Sequence, residues 1–292
     1  MKRLEFRGIH VENQDKEVLN KESIMNKPLG IATTLCLILV AGCATSPTQT
    51  TTIAEQRSMP TPTYIINPTA TPPALDGDWD SMIWGQADTL EIDTFFQDVV
   101  GKIMPSDHRP RTRAKVLYDN KGLYLHFRVD DKYVRAIETE YHGKVWEDAT
   151  VEFFVQPQPN RGYFNFEINC GGTMLLSYKE HPDYKGDSLR KAGAVPWEMA
   201  EQVTIYHSMP KVVDPEITRP VTWHVEYFIP FSLFEAYLGP LDTSFNAQWR
   251  ANFYKCAETN SHPHWAMWSP IHSGMSFHAP QYFAPIKFGL RK

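Results

Sequence analysis

Apolar and polar residues alternate along four stretches of the chain, at 123–130, 151–155, 163–169 and 223–229. Each stretch puts its apolar side chains on one face and its polar side chains on the other, as half-buried antiparallel strands do. Amphipathic helical spacing does not continue for more than about two or three turns in this part of the chain. The pattern therefore predicts a protein built mainly of β-strands.

Turn-forming residues separate these stretches and narrow the fold class. Residues 119–122 predict a hairpin turn, and residues 157–162 predict a longer loop. Short helices are expected at 80–86 and 232–237. Many strands with turns between them favour an all-β fold. We expect a two-sheet antiparallel β-sandwich, jelly-roll-like, with short helical insertions.

Residues 25–42 have the organisation of a bacterial lipoprotein signal peptide. Lys27 supplies a short positive region, and residues 31–40 form an apolar segment too short to span a bilayer stably. Small residues at 41–42 fit a narrow peptidase cleft, and the thiol of Cys43 can accept a diacylglyceryl group. We therefore expect lipidation at Cys43. An ordinary secretory signal followed by a chance cysteine is the alternative.

The remaining domain boundaries follow from this signal. Residues 1–24 are polar and mixed in charge, so we expect an extended or mis-assigned N-terminus, with the true start at Met25. Residues 43–63 are rich in Thr, Ser and Pro and should form a disordered tether, whereas 64–292 should form the folded domain. Ala44, rather than Asp, follows the cysteine, which favours the outer membrane by the usual sorting rule.

Charge and cysteine content exclude some partners and bonds. The formal net charge is −5 without a basic run, so nucleic acid is a poor partner and membrane contact is expected through the lipid anchor only. Alternation places Cys170 on an apolar face and Cys256 on a mixed or polar face. This difference argues against a disulfide between them.

The polar faces of two predicted strands carry groups suited to sugar hydroxyls. Glu152 lies on the first strand, and Asn165, Glu167 and Asn169 lie on the second. Sugars are bound by fixed donors and acceptors together with apolar surfaces on which their C–H faces can lie. This arrangement indicates a carbohydrate site.

Tryptophans near these strands could supply the apolar surfaces. Trp146 precedes the Glu152 strand, and Trp265 and Trp268 lie in a late segment rich in Pro and His. Tryptophan is costly to expose unless a ligand or partner covers it, which favours binding. The alternative is that these residues cap the sandwich core.

The folded part resembles carbohydrate-binding module family 9, and more closely the family 9-like proteins of polysaccharide-degrading bacteria. No single motif carries the resemblance, but the matching segments follow one another in order. They are 73–77 (PALDG) with Trp84, 114–131 with its LYD and GLY motifs, 145–154 (VWEDATVEFF), 166–169 (FEIN), 223–230 (WHVEYFIP), 268–270 (WSP), 280–283 (PQYF) and 286–288 (IKF).

The resemblance implies a β-sandwich that recognises the ends of glycan chains by clamping a sugar between two tryptophans. Trp146 and Trp268 match that pair, Glu152 matches a carboxylate that accepts bonds from sugar hydroxyls, and Asn169 matches a polar contact. Asn165, Glu167 and Trp265 are weaker candidates. The resemblance also allows a structural calcium, whose ligands the sequence does not assign.

Glu167 is the main departure from the family pattern. It replaces an arginine that contacts sugar in the family, so a forked donor becomes a carboxylate. The aspartate in the Trp146 motif also lies one position earlier, and the segment 260–280 is longer. The resemblance therefore predicts the fold of this chain, but it does not predict the identity of the ligand.

Four other kinds of chemistry are compatible with parts of the sequence. A glycan-active hydrolase could use Glu152 and Glu167, with Glu147 and Asp148 nearby. Other residues are candidate ligands for calcium, for a transition metal or, as in related sandwiches, for haem. They are Asp76, Asp78 and Asp80 for calcium, His262, His264, His272 and His278 for a transition metal, and Met267, Met275 and His278 for haem.

The ordered motifs favour a non-catalytic function over these alternatives. We expect carbohydrate binding by a cell-envelope lipoprotein that retains glycans or oligosaccharides for degradation or uptake. Envelope glycoside hydrolases or transporters are its expected partners.

Overall fold

The structure is a computed structural model that describes residues 61–183, 186 and 189–290. The predictions for 1–24, the signal peptide at 25–42, lipidation at Cys43 and the tether up to residue 60 lie outside these residues. None of the helices within the described ranges is long and apolar enough to cross a membrane.

Sixteen strands dominate the part of the chain that the structure describes. In chain order they are β1 (Tyr64–Pro68), β2 (Leu90–Ile92), β3 (Thr94–Phe95), β4 (Arg111–Tyr118), β5 (Gly122–Asp131), β6 (Val134–Ala136), β7 (Thr150–Gln156), β8 (Gly162–Asn169), β9 (Met174–Glu180), β10 (Gly193–Ala194), β11 (Thr204–His207), β12 (Val213–Ile217), β13 (Val221–Pro230), β14 (Gln248–Ala257), β15 (His264–Met267) and β16 (Ala284–Phe288).

Helices are short and lie between strands. They are the α-helices α1 (Trp197–Ala200) and α2 (Phe231–Leu238) and the 3₁₀ helices Trp84–Gln86, Val145–Glu147 and Pro280–Tyr282. The helix expected at 232–237 is confirmed, since α2 buries Leu233, Phe234 and Tyr237 against the core. The helix expected at 80–86 is a single 3₁₀ turn at its end.

The strands form a β-sandwich whose two halves are hydrogen-bonded to each other. The path runs β10-β9-β8-β7-β14-β16-β1-β4-β5-β13-β11, and β6 pairs with β12 in a separate ribbon. Strand β1 joins the halves because it pairs with β16 through Tyr64–Ile286 and with β4 through Asn67–Leu117. Both of these pairings are parallel. The prediction of mainly β structure is confirmed, but the halves are continuous rather than two separate antiparallel sheets.

The hairpin predicted at 119–122 joins β4 to β5. Asp119 Oδ1 accepts hydrogen bonds from the amides of Lys121, at 2.7 Å, and Gly122, at 3.1 Å. A side chain at Gly122 would collide with the backbone of Ile229 on β13, so glycine is required there by close strand approach.

The main core fills the space between the two halves. Phe153, Phe166 and Phe253, from three neighbouring strands, pack there with Phe127 and Trp223 from the opposite half. A second apolar cluster covers the other face of β7, β8 and β14, and it includes Phe154, Tyr163, Tyr254, Trp265 and Phe277. This outer cluster surrounds the candidate site.

Candidate functional site

Three adjacent strands position the polar groups of the site. Glu152 on β7 pairs directly with Glu167 on β8, and on its other side with Tyr254 on β14. Asn165, two residues before Glu167, pairs with Phe154. Since alternate residues of these strands enter the main core, the four side chains of Glu152, Phe154, Asn165 and Glu167 share the opposite face.

These side chains line a pocket of about 400 Å³. Its lining comes from strands and from distant loops and combines aromatic with polar side chains. The aromatic lining residues are Phe96, Trp146, Phe154, Trp265 and Phe277. The polar lining residues are His142, Glu152, Asn165, Glu167, Ser177, Lys179, Cys256, Glu258, Ser276 and His278. Aromatic walls with a few fixed polar groups are typical of small-ligand sites.

Two tryptophans reach the pocket from different elements. Trp146 lies on the 3₁₀ helix Val145–Glu147, which contacts β7, β8 and β14, and its side chain is half-buried. Trp265 lies on β15, opposite Cys256, and is buried. Its indole Nε1 donates to Glu258 Oε1 at 3.1 Å, which fixes the ring. The pocket therefore has one partly accessible and one anchored indole.

The polar floor is rich in acceptors. Cys256 Sγ donates to Glu152 Oε1 at 3.0 Å, and Asn165 Nδ2 donates to Glu167 Oε1 at 2.8 Å. Asn165 is only 1% exposed, and its Oδ1 has no hydrogen-bond partner among the described residues. A buried acceptor without a donor is costly unless a ligand supplies one.

Burial changes the charge of the paired glutamates. It raises the pKa of Glu167 to about 7 and raises the pKa of Glu152 well above its usual value, with repulsion from Glu167 adding to the second shift. Burial also raises the pKa of Glu258. Near neutral pH the Glu152–Glu167 pair therefore retains at least one proton, and it can both donate and accept hydrogen bonds.

Two histidines complete the polar boundary of the pocket. His142 Nε2 lies 2.9 Å from the hydroxyl of Ser177, and His278 Nδ1 lies 2.8 Å from the hydroxyl of Tyr163. Burial lowers the pKa of His278 to about 4, so this imidazole is neutral at pH 7. Both rings act as hydrogen-bonding groups.

Five of the sequence candidates meet at this pocket, namely Trp146, Glu152, Asn165, Glu167 and Trp265. The alternation of β7 and β8 accounts for the three polar members, since it puts them on the face away from the main core.

Asn169 is not among the residues that line the pocket. Its Nδ2 donates to Asp148 Oδ2 at 2.8 Å and to the Glu138 carbonyl at 3.0 Å. Its Oδ1 accepts from the amides of Gly171, at 3.1 Å, and Thr173, at 2.9 Å. The amide thus uses its donors and acceptors to hold the turn after β8, apart from this pocket.

Trp268 lies apart from the pocket as well. Its amide donates to the Phe253 carbonyl at 3.0 Å, and its ring packs edge-on against the Phe253 ring at 5.6 Å. Phe253 belongs to the main core, so Trp268 lies on the core side of the sheet, where it borders a surface cleft beside Tyr64 and Leu90. Trp146 and Trp268 therefore do not form the expected clamp in this pocket, and the second tryptophan there is Trp265.

Several pocket residues were missed from the sequence. Cys256 and Glu258 could have been found, because the alternation of β14 puts Cys256 on the same face as Tyr254. Phe96 and Phe277 stack on each other at 5.7 Å, although 181 positions separate them in the sequence. Local patterns do not reveal such loop-to-loop contacts.

The structure separates the four carboxylates considered for hydrolysis. Asp148 accepts backbone hydrogen bonds from Ile137, at 3.0 Å, and Glu138, at 2.9 Å, and does not line the pocket. Glu147 forms a surface ion pair with Lys144 at 3.0 Å. Glu152 and Glu167 are the two members that remain together.

The four histidines considered for a transition metal do not come together: His262 and His264 both pack around His108, whereas His272 and His278 have other neighbours. His262 stacks on Tyr133 with ring centroids 3.5 Å apart, whereas His264 Nε2 contacts Lys255 Nζ at 2.9 Å. His272 packs edge-on against Tyr282, and His278 lies at the pocket. Within the described ranges, no group of three or more His, Cys, Asp or Glu residues is arranged to hold a metal ion.

The remaining candidate ligands and thiols have local roles. Asp76 and Asp78 each accept a hydrogen bond from the amide two residues later, at 3.0 and 3.2 Å. Met267 Sδ accepts from the Ile271 amide at 3.3 Å. Cys170 and Cys256 are free and buried, the first in the main core and the second in the outer cluster, as alternation predicted.

A β-sandwich with an aromatic-walled, acceptor-rich pocket defines a small-ligand-binding module. Comparison with known proteins identifies the family. Residues 90–288 match the model of Carbohydrate-binding family 9, and the chain therefore belongs to that family. Comparison with curated proteins gives no match.

Two solved structures share this fold. One is a putative carbohydrate-binding protein from Bacteroides uniformis ATCC 8492, which is 24% identical, has a TM-score of 0.64, and is matched over 78% of this chain and 99% of its own. The other is a carbohydrate binding module family 9 from Caldicellulosiruptor kristjanssonii in complex with cellotriose. It is 13% identical, with a TM-score of 0.51 and coverage of 79% and 95%.

Proposed function

We propose that this protein is a non-catalytic carbohydrate-binding lipoprotein of the cell envelope, and that its ligand occupies the pocket between Trp146 and the Glu152–Glu167 pair. Family membership supports carbohydrate binding. The observation that carries the site assignment is the pocket itself, in which aromatic walls surround a buried, acceptor-rich floor.

Each group has a distinct part in this proposal. The half-buried Trp146 offers its indole face to the apolar surface of a sugar ring, and Trp265 forms a rigid second wall. Glu152, Glu167 and Asn165 accept hydrogen bonds from ligand hydroxyls. The pocket volume suits a terminal sugar unit rather than a long internal segment of chain.

The cellular setting of the proposal rests on the N-terminal sequence. The apolar segment at 31–40, the small residues at 41–42 and Cys43 support lipid anchoring, and Ala44 supports the outer membrane. The Thr- and Pro-rich residues 43–63 would hold the module away from the bilayer. There it would retain glycans or oligosaccharides for envelope glycoside hydrolases or transporters. In cells that produce the Cys43→Ser variant, the protein should no longer partition into the membrane fraction. Unchanged partitioning would contradict lipid anchoring at Cys43.

A glycan array followed by calorimetric titration tests the binding site. Trp146→Ala should weaken binding of any glycan that the wild type recognises by about tenfold or more, since it removes one stacking surface. Trp197→Ala is the matched control, because Trp197 is 52% exposed and lies outside the lining residues. Equal affinity of wild type and Trp146→Ala would refute the site assignment.

Hydrolysis is the second candidate because Glu167, with its pKa raised to about 7, has the protonation behaviour of a general acid. Reducing-sugar release from glycans bound by the wild type would support it, provided that Glu167→Gln abolishes the release. We expect no release from either protein.

A further inference from the structure

More acidic than basic side chains line the pocket. Three carboxyl groups, those of Glu152, Glu167 and Glu258, line it. Among its described lining residues, Lys179 is the only Lys or Arg, and its side chain is exposed. The nearby Lys255 points to the opposite face of β14, where Nζ lies 2.9 Å from His264 Nε2 and 3.8 Å from Asp131 Oδ2.

The arrangement of Glu152 and Glu167 is unfavourable when both carboxyl groups are ionised. They occupy directly opposed positions of antiparallel strands and are 2% and 5% exposed. Like charges at such positions repel, and burying a carboxylate without a cation is costly. Among the described residues, their hydrogen-bond donors are the weak thiol of Cys256 and the side-chain amide of Asn165. Among the described residues no Lys or Arg forms an ion pair with either glutamate, and Lys179 and Lys255 act on them only at longer range.

Asn165 independently indicates what kind of group is missing. Its buried Oδ1 lacks a donor among the described residues, while its Nδ2 is committed to Glu167. Once the glutamate pair is ionised, the pocket floor presents three acceptor groups, those of Glu152, Glu167 and Asn165, on the adjacent strands β7 and β8. A primary ammonium has three donors and no acceptor, so it complements this floor better than a hydroxyl does.

The walls favour the same ligand. Indole and phenyl faces attract cations through their ring quadrupoles, most strongly where water is excluded. Trp146 and Trp265 line the pocket, and indole rings also suit the C–H surface of a pyranose. One ligand class carries both an ammonium and a sugar ring.

We propose that the pocket recognises a sugar unit with a free, protonated amino group, which is an unacetylated amino sugar. The inference rests on the proposed function, since it names the ligand of the same pocket. The ammonium contacts Glu152, Glu167 and Asn165, and the ring lies against the tryptophans. N-acetylation would remove both the charge and two of the donors.

Because the glutamate pair holds a proton near neutral pH, binding of an ammonium group should depend on pH. The groups around the pair are Glu258, Cys256 and Tyr254 on the β14 side, Tyr163 and Lys179 on the β8 and β9 side, and His142 and His278 from the loops. Binding of an ammonium favours the ionised pair, so protons are released on binding. Binding should weaken when the pH falls well below 7 because Glu167 then remains protonated.

Isothermal titration calorimetry of the full chain at pH 6.5 tests the inference. The ligands are glucosamine and its short oligosaccharides, compared with N-acetylglucosamine, glucose and their oligosaccharides of equal length. We expect the amino sugars to bind at least about tenfold more tightly than their N-acetylated forms. Titration in two buffers of different ionisation enthalpy should show proton release for the amino sugars.

Variants assign the preference to the paired glutamates. Glu167→Gln and Glu152→Gln should each reduce the discrimination between amino and N-acetylated sugars severalfold, with thermal unfolding used to verify folding. Glu147→Gln, which changes a carboxylate outside the pocket, should leave the discrimination unchanged.

The outcomes separate this inference from the proposed function. Binding of neutral sugars with equal or higher affinity than amino sugars would overturn the inference and leave carbohydrate binding intact. Discrimination that survives in both Gln variants would also overturn it. Absence of binding to any glycan, charged or neutral, would overturn both.

Discussion

Replacing Glu167 by Gln should make the stability of the domain less dependent on pH. Gln has nearly the shape of a protonated Glu and cannot ionise, so the variant removes the titration while it preserves packing. Glu167 is 5% exposed and accepts a hydrogen bond from Asn165 Nδ2, which a Gln side chain oxygen can also accept.

The magnitude follows from the shift in the pKa of this group. Burial raises the pKa of Glu167 from 4.5 to about 7 in the folded protein. At about 1.36 kcal/mol for each unit of pKa, the folded state prefers the protonated form by about 3 kcal/mol. Because the folded pKa is raised, this contribution is fully present below about pH 4.5, declines as the pH rises, and is lost above about pH 7.

Urea unfolding at a series of pH values from 4.5 to 8 measures the effect. The wild type should lose about 3 kcal/mol more free energy of unfolding across this range than Glu167→Gln does. Burial also raises the pKa of Glu226 to about 7, so Glu226→Gln should remove a second contribution in the same direction. Glu147→Gln is the control at the surface. Identical pH profiles for the wild type and Glu167→Gln would refute the assignment of a buried, protonated Glu167.

Three further substitutions test the packing around the site, each by urea unfolding. Phe153→Ala removes a fully buried ring beneath Glu152 and should cost about 3–5 kcal/mol. Asn169→Ala removes four hydrogen bonds that hold the turn after β8 and should cost about 2–4 kcal/mol. Gly122→Ala forces a methyl group against the backbone of Ile229 and should cost about 1–3 kcal/mol. A loss of less than about 1 kcal/mol in the free energy of unfolding for Phe153→Ala or Asn169→Ala would contradict the roles described for these residues. An unchanged free energy of unfolding for Gly122→Ala would contradict the close strand approach at Gly122.

Alternation along β7 and β8 was sufficient to predict the polar floor of the pocket. The period of two assigns Glu152, Asn165 and Glu167 to one face, whatever the details of the loops. Glu167, at the position where the chain departs from the family pattern, is one of the three carboxyl groups that line the pocket.

Alternation does not determine the contacts of residues at or just beyond the end of a strand. Trp268 follows β15, and its backbone bond to Phe253 turns the side chain towards the main core rather than towards Trp265. Asn169 is the last residue of β8, and backbone amides of the following turn take up its side-chain oxygen. Both outcomes depend on hydrogen bonds formed only when the chain has folded, so residue type and spacing could not predict them.

The seam between the two halves, which is the pairing of β1 with β16 and β4, could not be predicted either. Parallel pairing with β16 and β4 joins residues far apart in sequence, and the five residues of β1 carry no local signal for their partners. The sequence predicted the β class correctly, but the continuity of the two halves depends on this single strand.

That seam also constrains the order of folding. Strand β1 is the first of the described strands to emerge during synthesis, and its partner β16 is the last. The pairing of Tyr64 with Ile286 spans almost the whole domain, so the entropy of loop closure must be overcome before these contacts contribute any stability. Until β16 is made, β1 and the edge of β14 lack their pairings with it. Completion of the sandwich is therefore a late event that follows synthesis of the entire domain, and the open edges are exposed to wrong pairing in the interval.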